Sequence, residues 1–124
     1  MRLAELSAAF QWGILLVTDA SSTEQIPDWS SPDEQVTAAG SALVVRVMPD
    51  VEGNVDVYVV NSDDEVQGTC VFSGRLAVPS MMLKVGDALG GMTTSVALGK
   101  AEIGIDVFLD ETIEASAVSL LLRD

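Results

Sequence analysis

The sequence predicts an all-β protein, a single-domain antiparallel β-sandwich of about six to eight strands. Apolar and polar residues alternate through most of the hydrophobic runs, which is the pattern of a strand with one buried face. β-Branched residues dominate these runs, and segments rich in Gly, Pro, Asn and Asp separate them. No amphipathic pattern of helical length alternates with the strands, so a parallel sheet with crossover helices is disfavoured. A chain of 124 residues has the usual length of one domain, and we expect one sandwich over residues 1–124.

The first predicted strand is the apolar run 10–18, and residues 2–9 before it form either a helical turn or part of the same strand. Residues 42–48 and 55–60 repeat the alternation and are joined by residues 49–54, which include Pro, Asp, Gly and Asn. Turn residues of this kind between two alternating runs indicate a hairpin. We therefore expect these two strands to pair antiparallel.

The second half of the chain continues the same pattern. An acidic turn at 61–65 leads into a predicted strand over 66–72. Ser73 and Gly74 are expected to break this strand before the run 76–79, because Gly and Ser favour turns over strand interiors.

Three further segments complete the prediction. Residues 103–109 alternate and form a strand. The last run, 113–122, ends in three leucines and is either a buried strand or a short helix, of which we favour the strand. Residues 20–40 are rich in Ser, Asp, Glu and Pro and form a long acidic loop, and loops of this length are usually functional or mobile. Within it, Trp29 beside Asp28 is either an interface anchor or a cap on an open end of the core.

The composition argues against most kinds of chemistry. The chain has 19 acidic and 6 basic residues, no His, and a net charge of −13. Without His it lacks the usual general base and metal ligand near neutral pH, and its single cysteine, Cys70, supplies neither a disulfide nor a zinc site. We expect Cys70 to be a small buried thiol. The negative charge repels phosphates and anionic lipids. The sequence therefore predicts no catalytic residue, no cofactor, no metal, and no direct binding to nucleic acid or membrane.

The N-terminal apolar stretch bears on location. Glu5 and Gln11 interrupt it, and its uninterrupted part is too short for a signal peptide or a membrane span. A cytoplasmic protein is therefore expected. Trp12 in this stretch is expected to pack in the core or at a sheet edge.

A family resemblance is carried by five short segments that span most of the chain: 10–19, 27–29, 76–80, 83–85 and 99–108. Together they resemble small bacterial proteins of the competence protein J family, which inhibit a nuclease involved in DNA uptake, and residues 78–80 are the best single match. The resemblance implies an inhibitor or immunity role against a basic nuclease. It also implies Gly where this chain has Met81 and Met82.

Charge and resemblance lead to the same hypothesis, a non-catalytic acidic protein that neutralises a basic bacterial partner such as a nuclease or toxin. The expected interface places carboxylates around one aromatic anchor and comprises Asp28, Trp29, Asp33, Glu34, Asp63, Asp64 and Glu65. Two alternatives remain open. One is a structural or accessory subunit that self-associates, as a homodimer, through exposed strand edges. The other is a carboxylate-based metal or carbohydrate-binding module.

Overall fold

The computed structural model describes residues 2–21, 34–87 and 91–123. These residues form ten strands and contain no α-helix, which confirms the all-β class. The strands are β1 (Arg2–Ala8), β2 (Ile14–Asp19), β3 (Val36–Ala38), β4 (Ala42–Arg46), β5 (Val55–Val60), β6 (Thr69–Ala77), β7 (Met82–Asp87), β8 (Thr93–Ala97), β9 (Glu102–Leu109) and β10 (Ala117–Arg123). Short 3-10 turns lie at Gln11–Gly13, Asp50–Glu52 and Asp63–Glu65. No helix in the described ranges has the length and apolarity to span a bilayer.

The strands form two five-stranded sheets that pack face to face. The first has the order β1-β5-β10-β9-β6 and the second has the order β3-β4-β2-β7-β8. All neighbouring strands run antiparallel except β5 and β10, which are parallel. One hydrophobic cluster takes side chains from both sheets. Alternate residues of β5, Val55, Val57 and Val59, are fully buried in it, as the period of a half-buried strand requires.

The connection between β5 and β6 crosses the outer face of the first sheet. Val60 ends β5 at one end of the sheet, whereas Thr69 starts β6 beside the last residue of β9 at the other end. Residues 61–68 therefore run back across the sheet, where Glu65 and the buried Ser119 of β10 line the same small hollow. This path places the acidic turn on a sheet face instead of at a strand end.

The predicted hairpin of residues 42–48 and 55–60 is wrong. β4 pairs with β2 and β3 in the second sheet, whereas β5 pairs with β1 and β10 in the first. Pro49 bridges to Phe10, and the Met48 amide donates a hydrogen bond to the Ala115 carbonyl oxygen (3.0 Å). These contacts lead the chain from one sheet to the other. Alternation reveals that a strand has one buried face and does not specify its neighbour.

The predicted strand boundaries also change at the N-terminus and in β6. Residues 2–9 contribute β1 to the first sheet, and the run 10–18 becomes a 3-10 turn followed by β2 in the second sheet. β6 continues through Ser73 and Gly74, because both residues pair with β9: Ser73 lies opposite Asp106 and Gly74 lies opposite Ile105. Gly74 is therefore part of the strand and not a break.

Other expectations are partly corrected. β3 lies inside the stretch 20–40 that was expected to be loop, and residues 22–33 of that stretch lie outside the described residues. The final run is a strand, as favoured, but β10 starts only at Ala117. Cys70, on the edge strand β6, is exposed and not buried, and Trp12 is 65% exposed and not part of the core.

The backbone explains the Gly that the family resemblance implies at Met81. Met81 has φ +61° in the turn before β7, held by hydrogen bonds from its amide to the Val78 oxygen (2.8 Å) and from the Leu98 amide to its own oxygen (2.9 Å). A side chain in this left-handed conformation is strained by roughly 1–2 kcal/mol. We expect Met81→Gly to raise the free energy of unfolding by about 0.5–1 kcal/mol, since part of the relief is offset by the greater freedom of Gly in the unfolded chain.

Urea unfolding followed by circular dichroism measures this effect. Met82→Gly is the matched control, because Met82 is the first residue of β7 and Gly weakens a strand. The control should lose stability. A loss of stability in Met81→Gly as well would contradict the explanation.

Candidate functional site

A hollow lies at one end of the sandwich, and we call it the Trp12 hollow. Three segments meet there: the 3-10 turn Gln11–Gly13, the chain after β4, and the loop between β9 and β10. Its volume is about 540 Å³. Its lining residues are Trp12, Gln35, Arg46, Val47, Pro49, Thr112, Ile113 and Glu114.

An unusual backbone conformation presents Trp12 at this hollow. Trp12 has φ +61° and ψ +10°, and the next residue, Gly13, has φ +67°. The turn is held by hydrogen bonds from the Gly13 amide to the Phe10 oxygen and from the Val47 amide to the Gly13 oxygen, both 2.9 Å. A bulky residue with positive φ is strained, and strain of this kind clusters at functional sites. In this conformation Trp12 is 65% exposed beside the hollow.

Asp110 closes the loop that forms the other side of the hollow. One carboxylate oxygen accepts hydrogen bonds from the amides of Glu111 (2.9 Å), Ser116 (3.0 Å) and Ala117 (3.0 Å), and the other accepts one from the Ser116 hydroxyl (2.6 Å). Burial raises the pKa of Asp110, but these donors outweigh it and hold the pKa below its ordinary value. The charged side chain therefore ties the two ends of the loop together at neutral pH.

The tip of this loop presents Ile113 and Glu114. Ile113 is 80% exposed, and Glu114 has φ +53°, so two of the three non-glycine residues with positive φ in the described chain line the Trp12 hollow. Gln35 supports the loop through a hydrogen bond from Nε2 to the Thr112 oxygen (3.3 Å). The loop tip is thus held in place, and the apolar side chain of Ile113 and the acidic side chain of Glu114 remain exposed to solvent.

Glu52 lies close enough to Glu114, a lining residue of the hollow, for the two carboxyl groups to interact. A hydrogen bond between them raises the pKa of Glu52, and burial and the charge of Glu114 add to the rise. Two neighbouring carboxylates repel each other, so one of them binds a proton more readily than an isolated carboxylate does. A bound cation would relieve the same repulsion. The segments around the hollow carry further acids: Glu34, Asp50, Asp110 and Glu111. Arg46 is the one cation among the described lining residues, and it has an interaction of its own within the chain.

The sequence-predicted site residues do not form one cluster among the described residues. Asp28, Trp29 and Asp33 lie outside the described residues. Glu34 is half-buried and immediately precedes Gln35, which lines the Trp12 hollow.

The other three predicted residues, Asp63–Glu65, lie exposed on the outer face of the first sheet. A second hollow of about 110 Å³ is lined there by Glu65 together with Arg2 and Tyr58. A hydrogen bond from the Ser62 hydroxyl lowers the pKa of Asp64, which is therefore charged at neutral pH. The Arg2 guanidinium lies 4.5 Å from the centre of the Tyr58 ring. A cation therefore lies next to the acidic turn, and no residue lines both hollows.

Sequence reasoning missed Trp12, Ile113 and the Glu52–Glu114 pair. Gly13 directly after Trp12 was the available signal, because Gly inside an apolar run can mark a left-handed turn. The pairing of Glu52 with Glu114 had no sequence signal, since the two residues come from separate turns. Among the described residues, no group of three or more His, Cys, Asp or Glu side chains is arranged to hold a metal ion.

Comparison with solved structures places the fold. ComJ from Bacillus subtilis, the inhibitor of the DNA degrading activity of NucA, superposes with a TM-score of 0.78 over 100% of this chain and 97% of ComJ, at 13% sequence identity. The chain has the fold of ComJ. The resemblance drawn from the sequence is thereby confirmed at the level of the fold. The product of crocagin biosynthetic gene J is also similar, with a TM-score of 0.56 over 95% of both chains and 13% identity. No family model and no curated protein matches the sequence.

Proposed function

We propose that this protein is a non-catalytic acidic inhibitor that binds and neutralises a basic bacterial nuclease. The observation that carries the proposal is the full-length likeness in fold to ComJ, an inhibitor of the DNA degrading activity of NucA. The net charge of −13 supports it independently. A nuclease that binds polyanionic DNA presents a positive cleft, and an acidic protein is attracted to such a cleft and competes with DNA for it.

The Trp12 hollow is the contact surface in this proposal. Protein interfaces commonly combine a rigid aromatic anchor with a charged, solvated rim. Trp12 and Ile113 provide exposed apolar surface, and the acids around the hollow provide the rim. Trp12 is the aromatic anchor in this proposal, Glu34 keeps its proposed role in the rim, and Trp29, the anchor expected from the sequence, lies outside the described residues. The acidic turn Asp63–Glu65 contributes to the negative field that steers the partner.

The experiment that tests the proposal uses an extract of the source organism. The extract is passed over the immobilised protein at low salt, and bound proteins are eluted with a salt gradient and assayed for DNA cleavage. We expect one basic protein that cleaves DNA and loses this activity when the purified chain is added at equal molar amount. Cleavage that persists with excess chain would contradict the inhibitor role. Recovery of only the chain itself would favour the self-associating alternative.

The acidic turn gives a prediction about association kinetics. Asp63→Asn combined with Asp64→Asn should slow association with the nuclease several-fold at low salt and flatten its salt dependence, because both charges steer the encounter. Stopped-flow fluorescence at several salt concentrations measures both effects. Thr93→Lys combined with Ser95→Lys, on exposed positions of β8, changes the net charge by the same amount and is the control. An association rate that is the same for the two double variants would exclude the turn from the contact region.

A further inference from the structure

We propose that one end of the sandwich binds an apolar side chain that projects from a basic surface of the nuclease. The contact is made by Trp12, Val51 and Ile113, and we call these three residues the apolar platform. The inference rests on the proposed function, because it takes the partner from it. It goes further by adding Val51 to the contact surface and by naming the kind of side chain that the platform receives.

The first argument is the exposure of the platform. Trp12 is 65% exposed, Ile113 is 80% exposed and Val51 is 88% exposed, whereas no other large hydrophobic residue in the described ranges exceeds 48%. Apolar surface gains free energy when it leaves water, so a cluster of exposed apolar side chains marks an interaction surface. The platform therefore has more to gain from a partner than any other apolar part of the described chain.

The second argument is that the turns of Trp12 and Val51 lie side by side. The two 3-10 turns that contain them are in contact. Pro49, which precedes the turn of Val51, forms a bridge to Phe10, which precedes the turn of Trp12. The Pro49 oxygen also accepts a hydrogen bond from the Glu52 amide (3.0 Å), which closes the turn of Val51. Neighbouring turns thus present two of the three platform residues.

The loop of Ile113 is joined to the same place by the chain that leaves β4. The Val47 amide donates a hydrogen bond to the Gly13 oxygen (2.9 Å), and the next amide, that of Met48, donates one to the Ala115 oxygen (3.0 Å). Gly13 ends the first of these turns, and Ala115 lies two residues after Ile113. A backbone that is already fixed before binding loses little conformational entropy when a partner covers it.

The third argument identifies the partner by charge. Val51 lies between Asp50 and Glu52 in the chain. Ile113 precedes Glu114, and all three acids are exposed. A second copy of the chain on this end would bring these carboxylates together, and like charges across an interface oppose binding. A basic surface avoids this repulsion, so the acids favour a basic protein over a second copy, while the platform favours an apolar side chain at the centre of the contact.

The first test uses probes that need no nuclease. The ¹⁵N-labelled full chain is titrated with the acetylated, amidated tripeptides Lys-Phe-Lys, Lys-Ser-Lys and Glu-Phe-Glu. We expect Lys-Phe-Lys to bind in the millimolar range and to shift the Trp12 indole N–H signal together with the Val51 and Ile113 amides. The indole signal is assigned by its loss in Trp12→Phe. Lys-Ser-Lys has the same charge and should bind about tenfold more weakly, because it buries no apolar side chain. Equal affinity for Lys-Ser-Lys or for Glu-Phe-Glu would overturn the proposal, as would the absence of shifts at the platform.

Substitutions in the platform provide a second readout, the rate at which the complex with the nuclease dissociates. Val51→Thr keeps the shape of the side chain but replaces a methyl group by a hydroxyl group, and it should raise the dissociation rate about threefold. Ile113→Ala removes more apolar surface and should raise it about tenfold. Both variants should leave the association rate within about twofold of the native value, because neither changes the charge that steers the encounter.

Met82→Ala is the matched control for these variants. Met82 is also an exposed hydrophobic residue, but it lies at the opposite end of the second sheet. Its neighbour Leu83 pairs with Asp19, the last residue of β2, whereas the turn of Trp12 precedes the first residue of β2. The control should change the dissociation rate less than about twofold. Dissociation rates that rise equally in Ile113→Ala and Met82→Ala would overturn the proposed contact.

Sedimentation velocity tests the competing occupant, a second copy of the chain. We expect the native chain and Ile113→Ala to sediment with the same coefficient. A native dimer that becomes a monomer in Ile113→Ala would show that a second copy covers the platform, which overturns the proposal.

The peptide titration and the nuclease assay fail independently. A nuclease that is inhibited equally by the native chain and by Ile113→Ala, together with no phenylalanine-specific shift, would overturn the apolar platform and leave the inhibitor function intact. Phenylalanine-specific binding at the platform without any inhibited nuclease would retain the platform and overturn the inhibitor function.

Discussion

Gly13→Ala should lower the free energy of unfolding by about 2–5 kcal/mol, from the combined cost of a left-handed side chain and a steric clash. Gly13 has φ +67°, and a Cβ there would lie 2.5 Å from the Val47 carbonyl oxygen. The backbone must shift to accept it, and the hydrogen bond from the Val47 amide to the Gly13 oxygen must weaken. Because this turn also holds Trp12, the same substitution should reduce binding at the Trp12 hollow.

Gly99→Ala is the matched control for this prediction. Gly99 has a similar φ of +73°, but no atom lies within 4 Å of the added Cβ. It should therefore lose only the conformational cost, about 1–2 kcal/mol. Urea unfolding followed by circular dichroism compares the two variants. Equal losses would show that the turn relaxes without cost and that Val47 does not confine Gly13.

Asp19→Asn should lower the Tm by roughly 5–10 °C at neutral pH, because it leaves the part-buried donors of Ser21 and Ser80 without a charged acceptor. The Asp19 side chain is buried at the end of β2 and joins β2 to the turn before β7. One carboxylate oxygen accepts bonds from the Ser80 amide (2.9 Å) and hydroxyl (2.5 Å). The other accepts bonds from the Ser21 amide (3.2 Å) and hydroxyl (2.6 Å). Ser80 belongs to the segment 78–80 that carried the strongest family resemblance.

The same network predicts how stability depends on pH. Burial raises the pKa of Asp19, but the four donors outweigh it and lower the pKa below its ordinary value of 3.8. Its contribution is therefore fully present above about pH 3.8 and is lost as the pH falls through the lower pKa of the folded state. Differential scanning calorimetry from neutral to acidic pH should show a smaller acid-induced fall in Tm for Asp19→Asn than for the native chain.

Asp87→Asn provides the comparison for the Asp19 prediction. Asp87 ends β7 and accepts a hydrogen bond from the Gly91 amide (2.9 Å), but it is only half-buried. Its substitution should lower the Tm much less. An Asp19→Asn variant with the Tm and acid profile of Asp87→Asn would contradict the structural role assigned to the Asp19 network.

The sequence predicted several of the strands closely and the pairing of others wrongly. β5 and β9 match their predicted runs to within one residue, because alternation of buried and exposed positions follows directly from the geometry of an extended backbone. The hairpin between 42–48 and 55–60 was wrong, because its turn residues are also compatible with a chain that crosses between sheets. The contacts of Met48 and Pro49 with distant residues decide between the two, and no local pattern records them.

For the candidate site too, some features were predictable from the sequence and others only from the structure. The acidic character of the proposed contact surface and the proposal of an aromatic anchor follow from composition and loop chemistry alone. The choice of Trp12 could not be inferred from the sequence, because a tryptophan in an apolar run is expected to be buried. The left-handed turn at Trp12 and Gly13 directs it outward instead. The sequence predicted an acidic turn at 61–65, but that residues 61–68 cross a sheet face is visible only in the structure.

The sequence by itself determined the all-β class, the strongly negative charge and the lack of His-based chemistry. These properties depend on residue types and on the period of the backbone, and both can be read locally. Only the tertiary structure decided which strands are neighbours, and that Trp12 and Glu114 line the same hollow. Those outcomes depend on contacts between residues far apart in the chain, and such contacts form only when both sheets are packed together.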